Sequence, residues 1–407
     1  MNLTSNSTNP NTNHRSDSGS SISISSNADE ELHRVLSALS TVFSANTTST
    51  STADQHGIAN SRESADRYLT QFQRSSIAWI VADRLLSSTK DETGLGLGQV
   101  HFFAAQTLHT KCRADILQLD PSQFNSLRES LMKFLIKFIS ATNSNAVVTR
   151  LAMALCCLAV QMKWDTIMDD LLANLEQQSA SSQQQQMMEL VLSVAKLLPE
   201  EVTSDRVLVR DELQRHAFVA KLTLSAEKIL QFLFYCASHS QEVKVREQVL
   251  RCLHSWIKYV NIRPALLQQT QLVDFIFAIL QANDLNVYGG DLFEISVDVI
   301  IEIIRCYPSD RRENMVLVQK FIPLLMALGN DHSSPFRKAV QEEDEDGMRD
   351  YCRIFTEMGE SYMSLIMHHE DLNQAQLVDL VLDCSAIPDN GECQCCERVR
   401  IYHLKYI

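Results

Sequence analysis

Residues 120–140 read "DPSQFNSLRESLMKFLIKFIS", and this stretch specifies an amphipathic helix. Asp120 offers an N-cap side chain. Pro121 suits the first helical position, where its missing N–H costs nothing, and Gln123 closes a capping box. Phe124, Leu127, Leu131, Phe134, Leu135 and Phe138 then recur at steps of three and four, which makes one apolar stripe. The following stretch, "NAVVTRLAMALCCLAV" (145–160), is apolar nearly all round. A helix of that kind is expected to be packed on two sides, as an inner member of a stack.

Working outward, the same pattern repeats. Ala65, Tyr68, Leu69 and Phe72 make a stripe, and so do Val245, Val249, Leu253, Trp256 and Val260. Another runs through Tyr351, Ile354, Phe355, Met358, Tyr362, Leu365 and Ile366. Short polar breaks such as "SATNSN", "EQQSASSQQQQ", "NVYGGD" and "GNDHSS" separate them. With 11 Gly and 8 Pro in 407 residues, the chain has few of the turn residues that sheets need. About fifteen helices are expected, paired as 28–45/61–73, 75–88/97–117, 121–140/144–161, 164–177/183–198, 204–238/242–258, 264–281/289–306 and 310–340/346–369, with an unpaired one at 371–385. The spacing is near the roughly 40-residue period of HEAT or armadillo arrays. The expectation is an all-α, right-handed superhelical solenoid of HEAT-type helical pairs, about seven pairs plus one unpaired helix. Periodicity alone leaves a generic helical bundle open.

Composition narrows the function classes. A net charge of −14 argues against a broad phosphate-binding surface and direct nucleic-acid binding, and suits basic protein partners. The longest apolar run, Leu151–Val160, falls short of the roughly 18 residues that read as a membrane span, so no membrane insertion is expected. The first 27 residues hold 18 Ser, Thr or Asn and read as a disordered tail without a signal peptide. Most cysteines, Cys112, Cys156, Cys157, Cys236, Cys252, Cys306 and Cys352, sit within apolar helical patterns and are expected to act as small hydrophobes in a reducing compartment. "GLGLG" (94–98) lacks the preceding strand and the Lys-Ser/Thr of a nucleotide loop, and "MHHEDL" (367–372) lacks zinc-binding spacing. No Ser/His/Asp or Cys/His set stands out, so neither an enzyme nor a cofactor is expected.

Several stretches carry a resemblance. "ADRYLTQFQRSSIAWIVADRLL" (65–86) resembles the N-terminal signature of the importin-β family of nuclear transport receptors. "HFFAAQTLHTK" (101–111), "LAVQMKWD" (158–165), "KLLPEEV" (196–202) and "RCLHSWIKY" (251–259) continue it in order. "DYCRIFTEMGESY" (350–362) is most similar to the transportin-SR branch, the importers of serine/arginine-rich splicing factors. The resemblance covers about 29–388. The tail, the "NTTSTSTADQHGIANS" stretch (46–61) and the Gln-rich loop look like insertions, and the match ends near Pro388.

Composition sets off the disordered tail (1–27), and the resemblance implies a Ran-binding N-terminal arch (28–200) and further repeats (201–388), followed by a divergent tail (389–407) outside it. It implies a receptor that shuttles between cytoplasm and nucleus through the nuclear pore. Such a receptor binds Ran in its GTP form on the second helices of the N-terminal repeats. It binds Phe-Gly nucleoporins in outer grooves, and serine/arginine-rich cargo through C-terminal repeats that this chain is expected to lack. A HEAT scaffold without Ran is the alternative. Candidate Ran contacts are Glu63, Asp66, Arg67, Thr70 and Gln71 on one helix, and Phe102, Gln106, His109 and Arg113 on another, where they form a separate stripe. The acidic run Glu342, Glu343, Asp344, Glu345 and Asp346 is either a solvated helix end or a contact for a basic partner.

The closing stretch "CSAIPDNGECQCCERVRIYHLKYI" (384–407) holds a Cys-x-x-Cys at Cys393 and Cys396, with Cys384 and His403 to complete four ligands on paper. A solenoid requires an amphipathic partner helix there, and Val399, Ile401, Leu404 and Ile407 are its only apolar candidates. The tail is therefore expected to be an unrelated terminal segment without a metal.

Overall fold

The computed structural model of the chain describes residues 19–43, 52–89, 96–141, 143–178, 181–209, 212–282, 290–331 and 333–368, together with Leu380. Among these residues every regular element is helical, as the periodicity requires. The chain divides into two compact units, Met1–Lys221 and Leu222–Ile407.

The first unit holds α1 (Gly19–Phe43), α2 (Thr52–Arg74), α3 (Ala78–Ser87), α4 (Leu97–Ala114), α5 (Phe124–Ile139), α6 (Asn145–Met162), α7 (Ile167–Glu176) and α8 (Ser181–Thr203). Each odd-numbered helix packs on the even-numbered helix that follows it, and α2, α4, α6 and α8 contact one another in succession. This is the stacked-pair arrangement. A pair that cannot cover both of its faces alone is covered by its neighbours. α6 shows why. Val147, Val148, Leu151, Ala152 and Ala154–Val160 are all buried, against α4, α5 and α8. Each Leu or Val so buried contributes about 1.5–3 kcal/mol. By length and composition α6 meets the requirement for crossing a membrane, but most of it is enclosed as a core helix.

The start of α5 follows its sequence. Asp120 Oδ1 accepts from the Ser122 amide at 2.9 Å, and the Asp120 amide donates to Gln123 Oε1 at 3.1 Å. Pro121–Gln123 form a 3₁₀ turn that leads into the helix. α6 ends on Lys163 in the left-handed region (φ 57°), with the Trp164 amide returned to the Ala159 carbonyl at 2.9 Å.

α9 (Glu212–His239) crosses the division between the units. The second unit then holds α10 (Val243–Tyr259), α11 (Pro264–Gln269), α12 (Gln271–Ala282), α13 (Gly290–Cys306), α14 (Met315–Ala327), α15 (Pro335–Gln341) and α16 (Glu345–His368). α10, α13 and α16 form the inner succession here, with α12 against α13 and α15 against α16. All five residues of the Val245–Val260 stripe are buried, as are Tyr351, Ile354, Phe355, Met358 and Tyr362.

Boundaries depart from the periodic reading in five places. α1 begins at Gly19, inside the stretch read as a tail, and residues 1–18 lie outside the described residues. α2 begins at Thr52, inside the stretch read as a loop, because a fully solvated helical turn such as Ala59–Ser61 has no apolar period to reveal it. Ser204–Val209 are not helical. The buried Arg215 guanidinium takes their backbone instead, donating to the carbonyls of Val202 (2.8 Å), Ser204 (2.6 Å) and Val207 (3.0 Å). The helix expected over 264–281 breaks at Thr270, which is extended and whose hydroxyl accepts from the Leu272 amide at 3.3 Å. The helix expected over 310–340 becomes α14 and α15, because Ser334 is extended ahead of Pro335. The helix expected over 371–385 and the cysteine tail lie outside the described residues, apart from the buried Leu380.

Candidate functional site

The candidate contacts fall on α2 and α4, adjacent members of the inner succession. α2 turns Leu69 and Phe72 inward, and its Tyr68 hydroxyl donates to Glu31 of α1 at 2.8 Å. Glu63, Asp66, Arg67, Thr70 and Gln71 are therefore exposed. Glu63 and Arg67 pair at 2.7 Å, but both are largely in solvent, so the pair is worth less than about 1 kcal/mol.

On α4, Phe102 is exposed, with the Arg150 guanidinium of α6 over its ring, 5.9 Å from the centroid. Gln106, partly exposed, donates to Thr110 at 3.2 Å. Arg113 is also partly exposed, and its Nε donates to the Arg206 carbonyl at 3.2 Å. These three residues form one accessible strip.

His109 does not join them. It is buried, with its Nε2 at 3.8 Å from Glu201 Oε2 of α8. Helical geometry supplies the reason. At about 100° per residue, Gln106 and Arg113 lie about 40° and 20° to one side of Phe102, and His109 lies about 20° to the other. That side leads to Ala105, Leu108 and Cys112, all buried. A stripe at steps of four, three and four straddles the boundary of the core, and His109 falls on the inner side. It is withdrawn as a surface contact.

The environment of His109 is unusual. Cys157 Sγ of α6 donates to Glu201 Oε2 at 3.3 Å, and one donor atom each of His109, Cys157 and Glu201 lie within 4.8 Å of one another, all buried. Burial and the nearby Glu201 carboxylate push the Cys156 and Cys157 thiols well above the ordinary range. Burial also raises the Glu201 carboxyl, but His109, Cys157 and Arg113 outweigh it and hold the group below the usual carboxylate range. Neither ring nitrogen of His109 has a hydrogen-bond partner among the described residues.

The acidic run sits at a helix start. Asp344 Oδ1 accepts from the Gly347 amide at 3.1 Å, and Glu345 and Asp346 occupy the first turn of α16. Glu342, Glu343, Glu345 and Asp346 are exposed, and Asp346 pairs with Arg349. Two residues near the candidate strip, Arg150 and Glu201, were not among the sequence candidates, and only the first had a signal. Arg150 is the only charged residue of α6, a visible anomaly in an apolar helix. Glu201 gave none, since its partners come from helices distant in sequence.

Residues 144–300 match the family model described as exportin 1-like protein, and residues 343–393 match the second TPR domain of transportin-3/importin-13. Among curated relatives, the mRNA transport regulator MTR10 of Saccharomyces cerevisiae is 27% identical over 354 residues, covering 82% of this chain and 33% of that protein. Importin-13 of Homo sapiens is 28% identical over 330 residues, covering 80% and 32%. Transportin MOS14 of Arabidopsis thaliana is 28% identical over 335 residues, covering 81% and 32%. The chain is similar to proteins of the importin-β family over about four fifths of its length. It spans about a third of the length of these importin-β relatives. A crystal structure of importin β itself overlies 92% of this chain and 44% of its own, with 13% identity and a TM-score of 0.44.

Proposed function

We propose that this chain is the Ran-binding portion of a nuclear transport receptor of the transportin-SR kind. The supporting observation is the order of matches along the chain, an exportin 1-like stretch at 144–300 followed by a transportin-3/importin-13 stretch at 343–393. Residues 28–200 hold the Ran site in this reading, and 201–388 are further repeats. Ran in its GTP form contacts the inner succession, at Glu63, Asp66, Arg67 and Gln71 of α2 and at Phe102, Gln106 and Arg113 of α4. Arg150 joins them, since it stands over the Phe102 ring.

Phe-Gly nucleoporins dock in apolar grooves between neighbouring outer helices, and the protein shuttles between cytoplasm and nucleus through the pore. Cargo of the serine/arginine-rich type is basic and is held by repeats that this chain does not span. Ran and cargo then oppose each other by the same factor in both directions, because binding linkage is reciprocal.

The test is binding of the purified chain to Ran locked in its GTP form and to Ran loaded with GDP. Preference for the GTP form is expected. Equal binding, or none, overturns the reading.

A further inference from the structure

We propose that His109, Cys157 and Glu201 form a binding site for one zinc ion inside the first unit. The three side chains come from α4, α6 and α8, successive members of the inner row, and none reaches the surface. They offer one imidazole nitrogen, one sulfur and one carboxylate oxygen. Zinc accepts this mixed set, whereas magnesium and calcium take oxygen alone.

The geometry is close to coordination. Bond lengths of about 2.0–2.1 Å to nitrogen, 2.0–2.2 Å to oxygen and 2.3 Å to sulfur place tetrahedral ligand atoms about 3.3–3.6 Å apart. Glu201 Oε2 is 3.3 Å from Cys157 Sγ and 3.8 Å from His109 Nε2. All three atoms lie within 4.8 Å of one another, so small side-chain movements close the set around an ion.

A second observation points the same way. His109 is 2% exposed and neither of its nitrogens has a hydrogen-bond partner among the described residues. Buried polar atoms in folded proteins are almost always partnered. A metal at this point supplies a partner to Nε2, the nitrogen nearest Glu201. Binding is balanced by release of the Cys157 thiol proton, which now lies toward Glu201: zinc and the thiol give a zinc thiolate and one proton. The ion then links three consecutive helical pairs through their inner helices.

The experiment uses the full chain, stripped with a chelator and then given zinc or cobalt(II). Its variants are Cys157→Ala, His109→Gln and a triple replacement of Cys393, Cys395 and Cys396 by Ser. Elemental analysis is expected to find one zinc per chain in the parent and in the triple variant. Cobalt is expected to give a thiolate charge-transfer band in both. Loss of the band in Cys157→Ala, and loss of bound metal in His109→Gln, are expected with circular dichroism unchanged. The triple variant keeps the proposal falsifiable even if the buried variants do not fold, because loss of metal and band in it would place the ion on the tail cysteines. No metal bound, metal retained in folded Cys157→Ala and His109→Gln, or metal and band lost in the triple variant would each overturn the proposal.

Discussion

The ammonium of Lys111, on a side chain fully shielded from solvent, donates to the Ser75 carbonyl oxygen at 2.8 Å. It also reaches Gln118 Oε1 at 2.7 Å and the Gln73 carbonyl at 3.3 Å, and it pairs with Asp115 at 3.4 Å. These carbonyls lie at the C-terminal end of α2, where helical partners run out. One side chain therefore ends α2 and fastens it to α4. Lys111→Met removes the one donor that these acceptors share, and is expected to cost about 2–4 kcal/mol in chemical denaturation. A loss under about 0.5 kcal/mol, the scale of ordinary surface changes, would contradict this assignment.

His101 sets a pH dependence. Burial pushes its imidazole below the ordinary range, and Nε2 stands 3.1 Å from the Ser88 carbonyl, an arrangement for the neutral ring as donor. The unfolded chain takes up the proton near pH 6.5, and the folded one only at lower pH. The stability from this group is thus fully present above about pH 6.5 and is lost as pH falls through the depressed folded value. His101→Gln keeps a donor for Ser88 and removes the titration. Denaturation curves at about pH 7.5 and about pH 5.5 should show the parent losing more stability than His101→Gln. His254, also depressed by burial, contributes to both proteins and drops out of the difference. Equal losses would refute the role of His101.

Gly329 follows α14 at a position with no room for a side chain. A Cβ there would lie 2.9 Å from Phe355 Cζ and closer still to Leu380 Cδ1. Phe355 does not yield readily, since it is packed edge-on against Phe336 at 5.5 Å. Gly329→Ala should destabilise the chain by about 1–3 kcal/mol, seen as a lowered thermal midpoint.

Within the acidic run, structure separates one residue from the rest. Asp344 caps α16 through the Gly347 amide, and Glu345 is exposed. Asp344→Ala should cost about 0.5–2 kcal/mol, as loss of an N-cap does. Glu345→Gln should stay within about 0.5 kcal/mol. If the exposed acids meet a basic partner, Glu345→Gln changes the salt dependence of binding instead of stability.

Phe102 is the expected anchor of the accessible strip. Phe102→Ala should weaken Ran–GTP binding about tenfold or more, near 1.4 kcal/mol, with little change in the melting curve. Unchanged affinity in a titration would remove α4 from the contact.

The helices were legible wherever burial is one-sided. The α10 stripe and the Asp120 capping box were readable because both depend on residues within a few positions of each other. The break at Thr270 was not, since "LLQQTQLV" has no glycine or proline to mark it. Fully solvated turns such as Ala59–Ser61 left no period at all. His109 failed for another reason. A stripe has a direction only relative to neighbouring helices, and an offset of about 20° decided between solvent and Glu201.

The buried cysteines have a practical consequence. Cys112, Cys156, Cys157, Cys236, Cys252 and Cys352 are enclosed in helical packing, and burial pushes the Cys112 and Cys236 thiols up to about 12. Alkylation requires the exposed thiolate, so these residues react only when their helices separate. Positions 112, 156 and 157 lie in the first unit and 236, 252 and 352 in the second. Mass spectrometry after timed labelling therefore yields an opening rate for each half of one unmodified chain, a set of internal clocks that no engineered probe needs to supply.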